Sequence, residues 1–407
     1  MTALEPSDHV VVVGAGLAGW RTCVELRALD FTGHLTLLGE EPHAPYDRPP
    51  LSKQVMSGKW DLDHTVLATP EHLDAAGVTF RRGVAATGLD VATATVVLDD
   101  GVEVRGTHVV VATGARARRL DWHEDFLYEV RTRDDAQRLS ARLAQLSSGD
   151  VVAIVGAGFI GAEIATAVSA RGLRPLVLEA AALPLVGVVG PEVAQWLSGL
   201  PSAAGIELRT SQTIVGVAAI TSRGDGGDAE VLFADGTRLD ARAVVVGVGA
   251  QPNTEWLEGS GLDIDNGLVV DENQLARAHV AAVGDVASFA WTKGQHLRIE
   301  HWEVAVQHAR TLARHWMTGE RPARLVPYFW SDQYGRKIQM LGHPRRDDEV
   351  ARVKIVDAGQ WLAMYTREGI VTGLIALSQP RALMLSRSLL EEETTREEAL
   401  ALAPWAR

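Results

Sequence analysis

Cysteine is almost absent from this chain: of 407 residues, only Cys23 carries a thiol. One thiol cannot form an intrachain disulfide, a Cys-x-x-Cys redox pair or a cysteine-held iron–sulfur cluster. Any electron relay within the chain must therefore do without sulfur. Cys23 falls on a predicted helix and reads as a small core residue. Cationic excess is absent too. Lys and Arg number 39 against 52 Asp and Glu, a net charge of −13. That balance argues against a nucleic-acid footprint and against attraction to anionic membranes. The N-terminus has no basic stretch of the kind that opens a secretory signal. The longest apolar stretch, 151–170, is interrupted by glycines and by Glu163, and it suits a strand–turn–helix better than a membrane span. A cytoplasmic protein is expected, without bound metal. The remaining composition, 46% hydrophobic and 22% charged, is that of an ordinary globular chain, and the length suggests two to three domains.

One glycine-rich turn occurs twice. Val12-Val13-Gly14-Ala15-Gly16-Leu17-Ala18-Gly19 and Ile154-Val155-Gly156-Ala157-Gly158-Phe159-Ile160-Gly161 each follow an apolar run and open an Ala-rich stretch. The runs read as buried parallel strands and the stretches as helices. In such a turn the first Gly permits the tight bend. The second lets the backbone approach a pyrophosphate, and the third lets the helix pack on the strand. The pyrophosphate then rests on free N–H groups at the helix N-terminus. Either copy alone would fit an ordinary strand-to-helix connection equally well.

The repeat extends further. Asp100-Gly101 separates strand-like runs at 94–98 and 102–104, and the strand at 109–112 ends at Gly114. Asp235-Gly236 separates runs at 231–233 and 237–239, and the strand at 244–246 ends at Gly249. The step from Gly101 to Gly114 equals that from Gly236 to Gly249, 13 residues in each case. Asp-Gly between apolar runs signals a hairpin. An internally duplicated nucleotide-binding domain is predicted, each copy with a small β-meander before its closing strand.

An acidic residue closing the second strand can hydrogen-bond an adenosine ribose. Glu40 follows the strand at 34–38, and Glu179 follows the strand at 175–178. Either Glu could instead be a solvated strand end, though Glu179's placement makes that the weaker reading. No Arg directly follows Glu179 to receive a 2′-phosphate, so NAD is expected over NADP. The first half alone carries a Pro-rich stretch, Pro42 to Lys53, with Arg48 and Lys53 in it. Prolines pre-set such a loop. It suits a rigid wall with a fixed cation at a flavin edge, or else a Pro-rich surface loop. Later, Val283-Gly284-Asp285 places a carboxylate on a turn after a strand, where it can accept from a sugar-alcohol chain. The chain is expected to return there to its first sheet.

These strings resemble the FAD- and NADH-dependent ferredoxin reductases of the putidaredoxin-reductase and rhodocoxin-reductase type, which serve P450 and Rieske oxygenases. The resemblance is carried by both Gly turns and by Pro45-Tyr46-Asp47-Arg48-Pro49-Pro50-Leu51-Ser52-Lys53. Ala112-Thr113-Gly114-Ala115, Arg131-Thr132 with Asp134-Asp135-Ala136, and Gly247-Val248-Gly249-Ala250-Gln251-Pro252-Asn253 add to it. Val283-Gly284-Asp285, Glu300-His301-Trp302 and Val326 to Gln333 complete it. It implies a glutathione-reductase-like α/β fold with two Rossmann-type domains, the NAD domain inserted in the FAD domain, and a C-terminal α+β domain. The expected boundaries are 1–117 and 246–323 for FAD, 118–245 for NAD, and 324–407 for the C-terminal domain. It also implies residue roles. Gly14, Ala15, Gly16 and Gly19 would hold the FAD pyrophosphate and Glu40 its ribose. Arg48, Lys53 and Trp302 would lie by the flavin, Val84 by the adenine, Arg131 on the FAD and Asp285 on the ribityl chain. Gly156, Gly158, Ile160, Glu163, Glu179 and Gly249 would form the NAD site. The chain departs from the family's pattern at Gly187, where an Arg usually meets the adenosine end.

The expected reaction is hydride transfer from NADH to FAD, then release of single electrons to a 2Fe-2S ferredoxin. Lys53 would stabilise charge on the reduced ring and Glu163 would pair with Lys53, and these two would carry the chemistry; the same pair could instead be a structural interdomain salt bridge. An acidic ferredoxin would need a local basic patch. Arg310, Arg314, Arg321, Arg324, Arg336 and Lys337 are candidates, although for any one of them an ordinary solvated charge is the stronger reading. Competing readings are an NADH oxidase of the same fold and a flavoprotein related to apoptosis-inducing factors, with a signalling role.

Overall fold

The valine runs flanked by glycine turns become strands of two sheets, one parallel throughout and one parallel except for its antiparallel edge strand Leu275–Arg277. The computed structural model describes residues 3–122, 124, 126–220, 228–292, 295–320 and 323–406. The chain forms two compact units. One comprises Met1–Asp47, Thr65–Arg116 and Ala250–Leu325, and the other Arg48–His64, Ala117–Gly249 and Val326–Arg407.

The first unit is built on a six-stranded sheet in the order Leu275–Arg277, Val280–Ala282, His108–Val111, His9–Val13, His34–Gly39, Val78–Arg82. His9–Val13 runs parallel to both neighbours, with Val12 opposite Leu37 and Val110. Successive side chains on a strand point to opposite faces. Val10 and Val12 accordingly pack with Cys23 and Leu26 of the helix Leu17–Ala28 and with Leu312 and Trp316 of the helix Trp302–Thr318. Val11 and Val13 pack against Leu89, Val96 and Leu98 of the meander on the other face. Burying each such side chain is worth roughly 1.5–3 kcal/mol. Val280–Ala282 pairs with His108–Val111, so the chain does return to its first sheet.

The second unit repeats this plan. Its parallel sheet runs Glu207–Arg209, Arg174–Leu178, Val151–Val155, Ala243–Val246. The meander Ile214–Ala219, Ala229–Phe233, Arg238–Ala241 covers Ala153, Val155, Leu176 and Leu178. Both predicted hairpins form, but their second strands start later than the apolar pattern suggests, at Glu103 and Arg238. Asp100 and Asp235 explain the shift. Their carboxylates accept from the N–H groups of Val102 and Thr237, which lengthens each turn.

The rest of the second unit is a five-stranded antiparallel sheet in the order Tyr328–Gln333, Arg336–Gly342, Ile370–Leu377, Gln360–Arg367, Glu349–Asp357. The helix Val186–Leu197 buries Val189, Val193 and Leu197 against Met340, Trp361 and Tyr365 of one face. Terminal helices supply Leu383, Leu390 and Ala399 to the other face. Residues 42–47 of the Pro-rich segment lie in the first unit, whereas the stretch Arg48–His64 packs in this one. Arg171 helps anchor it, donating to the Met56 carbonyl at 2.6 Å. Within it Pro49–Ser52 forms a single turn of 3-10 helix.

Candidate functional site

The glycines of the two turns fall into two kinds. Gly14 has φ +115°, and a Cβ there would lie 2.2 Å from the Ala112 carbonyl oxygen; Gly156 has φ +101° and would meet the Gly247 carbonyl at 2.4 Å. Cβ atoms on Gly19 and Gly161 would lie 1.9 and 2.0 Å from the carbonyls of Gly14 and Gly156. The protein's own packing requires these four. Gly16 and Gly158 differ, because a Cβ on either meets nothing within 4 Å. Each caps the N-terminus of a 12-residue helix, with no side-chain cap and no acidic residue in the first turn. Free N–H groups below an open cradle suit a pyrophosphate. By this test both turns fit a dinucleotide.

In the first unit Glu40, Val84 and Asp285 each follow the carboxyl end of a strand of the six-stranded sheet. A Cβ on Gly39 would stand 2.8 Å from the Ala15 side chain, so Ala15 lies against the end of the strand that Glu40 follows. Glu40 is exposed there. Val84 donates its N–H to the Gly39 carbonyl at 3.0 Å. Asp285 is half-buried on the turn after Val280–Ala282. Gly284 has φ +75°, and its Cα approaches Ala18 so closely that a Cβ would be 2.7 Å away. The Asp285 turn is thereby set against the helix of the first Gly turn. Trp302 begins the helix Trp302–Thr318, and its Nε1–H donates to Asp47 Oδ1 at 2.8 Å.

In the second unit Glu163 lies one turn into the helix Phe159–Ala170 and is 3% exposed. Lys53 Nζ donates to Glu163 Oε2 at 2.7 Å, and Ser52 Oγ donates to the same oxygen at 2.6 Å. Ser331 Oγ donates to Oε1 at 2.6 Å. The structure thus joins Lys53 to Glu163 and adds two hydroxyls that the motifs did not flag. A buried carboxylate is tolerable only with such donors. Arg48 donates to the carbonyl of Arg131, whose own N–H goes to Asp135 at 3.2 Å. Glu179 Oε2 accepts from the N–H of Ala157, inside the second Gly turn, at 2.7 Å, and Oε1 accepts from Ala181 N–H at 2.8 Å. Gly249 has φ +107° and follows the last strand of that sheet. Ile160 is 44% exposed in the first turn of the helix. Gly187 lies in the first turn of Val186–Leu197, with nothing within 4 Å of a Cβ built on it.

The expected sites therefore divide. Gly14, Ala15, Gly16, Gly19, Glu40, Val84, Asp285 and Trp302 belong to the first unit. Arg48, Lys53, Arg131, Gly156, Gly158, Ile160, Glu163, Glu179 and Gly249 belong to the second. The suggested basic patch is partly neutralised. Arg310 pairs with Glu25 at 3.0 Å, Arg314 with Glu320 at 3.1 Å and Lys337 with Asp332 at 3.3 Å. Arg321 lies outside the described residues. Cys23 is fully buried, and burial pushes its thiol up to about 12. Among the described residues no three His, Cys, Asp or Glu side chains are grouped to hold a metal.

The pyridine nucleotide-disulphide oxidoreductase family model matches residues 8–309, and the reductase C-terminal model matches 328–405. The chain is 33% identical over 398 residues to the ferredoxin reductase component of chlorobenzene dioxygenase from a Cupriavidus species, covering 97% of this chain and 95% of that one. It is 33% identical to rhodocoxin reductase of Rhodococcus erythropolis, covering 94% of this chain and 90% of the relative. Among solved structures, the covalent putidaredoxin reductase–putidaredoxin complex superposes with a TM-score of 0.90 at 28% identity, covering 99% of this chain and 100% of that one.

Proposed function

This chain belongs to the pyridine nucleotide-disulphide oxidoreductase family, and we propose that it is an FAD-dependent, NADH-dependent ferredoxin reductase. It takes a hydride from NADH and passes electrons singly to a 2Fe-2S ferredoxin that feeds a P450 or Rieske oxygenase. The observation that carries the reading is the pair of open glycine cradles, one per unit, in a chain whose only thiol is buried. FAD, when bound, supplies the hydride acceptor and the change from two-electron to one-electron transfer.

The residues divide the work. Gly14, Ala15, Gly16 and Gly19 hold the FAD pyrophosphate, Glu40 its ribose, Val84 its adenine and Asp285 its ribityl chain. Trp302 covers the flavin, tethered by Asp47. Arg48 and Arg131 act together on the FAD, since one donates to the carbonyl of the other. Gly156, Gly158, Ile160, Glu179 and Gly249 hold NADH. The Glu179 carboxylate disfavours a 2′-phosphate. Lys53 holds a positive charge beside the flavin, and Glu163 keeps that ammonium in place at 2.7 Å. Removing one partner of such a buried pair typically costs about 3–5 kcal/mol. The domain assignment proposed is 1–117 with 246–323 for FAD, 118–245 for NAD and 324–407 for the C-terminal domain, in a cytoplasmic protein. Among the described residues no helix is long and apolar enough to cross a membrane.

The test uses the purified protein. It should be yellow, or become so with FAD, and NADH should bleach it anaerobically. NADH should outperform NADPH as donor to a panel of two-iron ferredoxins and to ferricyanide. Lys53→Met should retain FAD and slow bleaching by NADH. A protein that stays colourless in excess FAD, or that NADH does not bleach, would overturn the reading.

A further inference from the structure

The two oxygens of Glu163 are held from different parts of the chain. Oε2 takes Lys53 at 2.7 Å and Ser52 at 2.6 Å, both from the Pro-rich segment. Oε1 takes Ser331 at 2.6 Å, from the first strand of the C-terminal sheet, 168 positions away. Ser331 is fully buried and is itself oriented: Gln333 Nε2 donates to its Oγ at 3.2 Å. A hydroxyl has one proton to give. With its oxygen accepting from Gln333, that proton is committed to Glu163. The strand is also fixed along the helix that carries Glu163. Tyr334 N–H donates to Thr166 Oγ1 at 2.8 Å, and the Phe159 and Phe329 rings sit 4.4 Å apart.

The terminal torsion of a glutamate is broad and nearly two-fold. A carboxylate held by one oxygen can swing; held by both, it cannot. We propose that Ser331 is a positioning residue of the reductase, fixing the carboxylate plane of Glu163 so that Oε2 keeps the Lys53 ammonium in place. This rests on the role given to Lys53 above. Without the Ser331 hydroxyl, Oε1 becomes a buried acceptor lacking its donor, which is costly. The carboxylate, then held only through Oε2 by Lys53 and Ser52, can turn about that end and fixes the Lys53 ammonium less firmly. The other bond that Lys53 makes, to the Pro49 carbonyl at 3.3 Å, is longer and weaker than that to Glu163. The C-terminal sheet thus contributes a residue that acts on Lys53 through Glu163.

Ser331→Ala, Lys53→Met and the double variant test this in the FAD-loaded protein. FAD content, single-turnover reduction by NADH and the two-electron midpoint potential are measured for each. Ser331→Ala should keep its FAD and its KM for NADH within about twofold, and slow flavin reduction roughly tenfold. Its reduction equilibrium should fall by up to roughly tenfold, about 30 mV for a two-electron couple. In the Lys53→Met background the Ser331 change should add less than about twofold to either quantity. Ser331→Cys, a weak donor of similar size, should fall between, and it carries the comparison if the alanine variant does not fold. A normal rate and potential in Ser331→Ala, while Lys53→Met is slow, overturns the positioning role alone. An undiminished Ser331 effect in the Lys53→Met background does the same. An unchanged Lys53→Met overturns the reading of Lys53 instead.

Discussion

Glu179 Oε2 lies 2.7 Å from the backbone nitrogen of Ala157, so the acid that ends one strand closes onto the glycine turn that ends its neighbour. Its second oxygen holds Ala181 N–H at 2.8 Å. In the proposed role this carboxylate would meet the adenosine ribose beside the turn, and its charge would repel a 2′-phosphate.

Glu179→Gln leaves one acceptor oxygen where two are used. It also removes the repulsion. NADH affinity should drop roughly tenfold, the scale of one charged hydrogen bond. NADPH affinity should drop less or rise. Quenching of protein fluorescence by each nucleotide measures the ratio, and an unchanged ratio rejects this role for Glu179.

The two kinds of glycine make opposite predictions. Gly158→Ala meets nothing within 4 Å, so the variant should melt close to the parent yet bind NADH at least about tenfold more weakly. Gly161→Ala drives a Cβ to 2.0 Å from the Gly156 carbonyl. Backbone must shift there, at a cost of about 2 kcal/mol or more. Its melting temperature should fall. Equal melting temperatures for the two variants would contradict the geometry.

Cys23 should be chemically silent. Full burial raises its thiol to about 12, against a weaker opposite pull from Arg27. The native protein should resist thiol reagents at pH 8 and react once denatured. Cys23→Ala should cost about 1 kcal/mol of stability and leave reductase turnover intact. Loss of turnover in that variant would mean that sulfur takes part in the chemistry.

What was legible in the sequence was local. Gly14 and Gly156 announce their turns because a positive φ and a close carbonyl leave no other residue type a place. The valines at 10–13 announce a strand buried on both faces. Glu179 was legible from its position after a strand, but its bond to Ala157 was not, because the strand pairing that brings them together is tertiary. Ser331 was hidden for the same reason. A serine in an aromatic strand has no signature, and its partner stands 168 positions away. Lys53 and Glu163 lie 110 positions apart, and what joins them on paper is their placement and the need of a desolvated ammonium for a partner, not a local pattern. Periodicity starts the Arg238–Ala241 strand one residue early, because it ignores an Asx turn.

His308 supplies a pH dependence that no motif suggests. It is buried on the helix Trp302–Thr318, and its Nδ1 accepts from Gly284 N–H, the turn that presents Asp285, at 3.3 Å. Burial lowers its pKa from 6.5 to about 3, outweighing the upward pull of Asp285. The unfolded chain thus binds a proton below 6.5 that the folded chain refuses until about 3. Between those values the unfolded state holds more protons, so stability must fall as the pH falls, by up to about 1.4 kcal/mol per unit. Above 6.5 the group contributes no slope. His308→Gln offers an acceptor that does not titrate. Urea midpoints measured from about pH 7 to about pH 4 should fall less steeply for this variant than for the parent. Parallel curves would show that His308 is protonated at the same pH in both states.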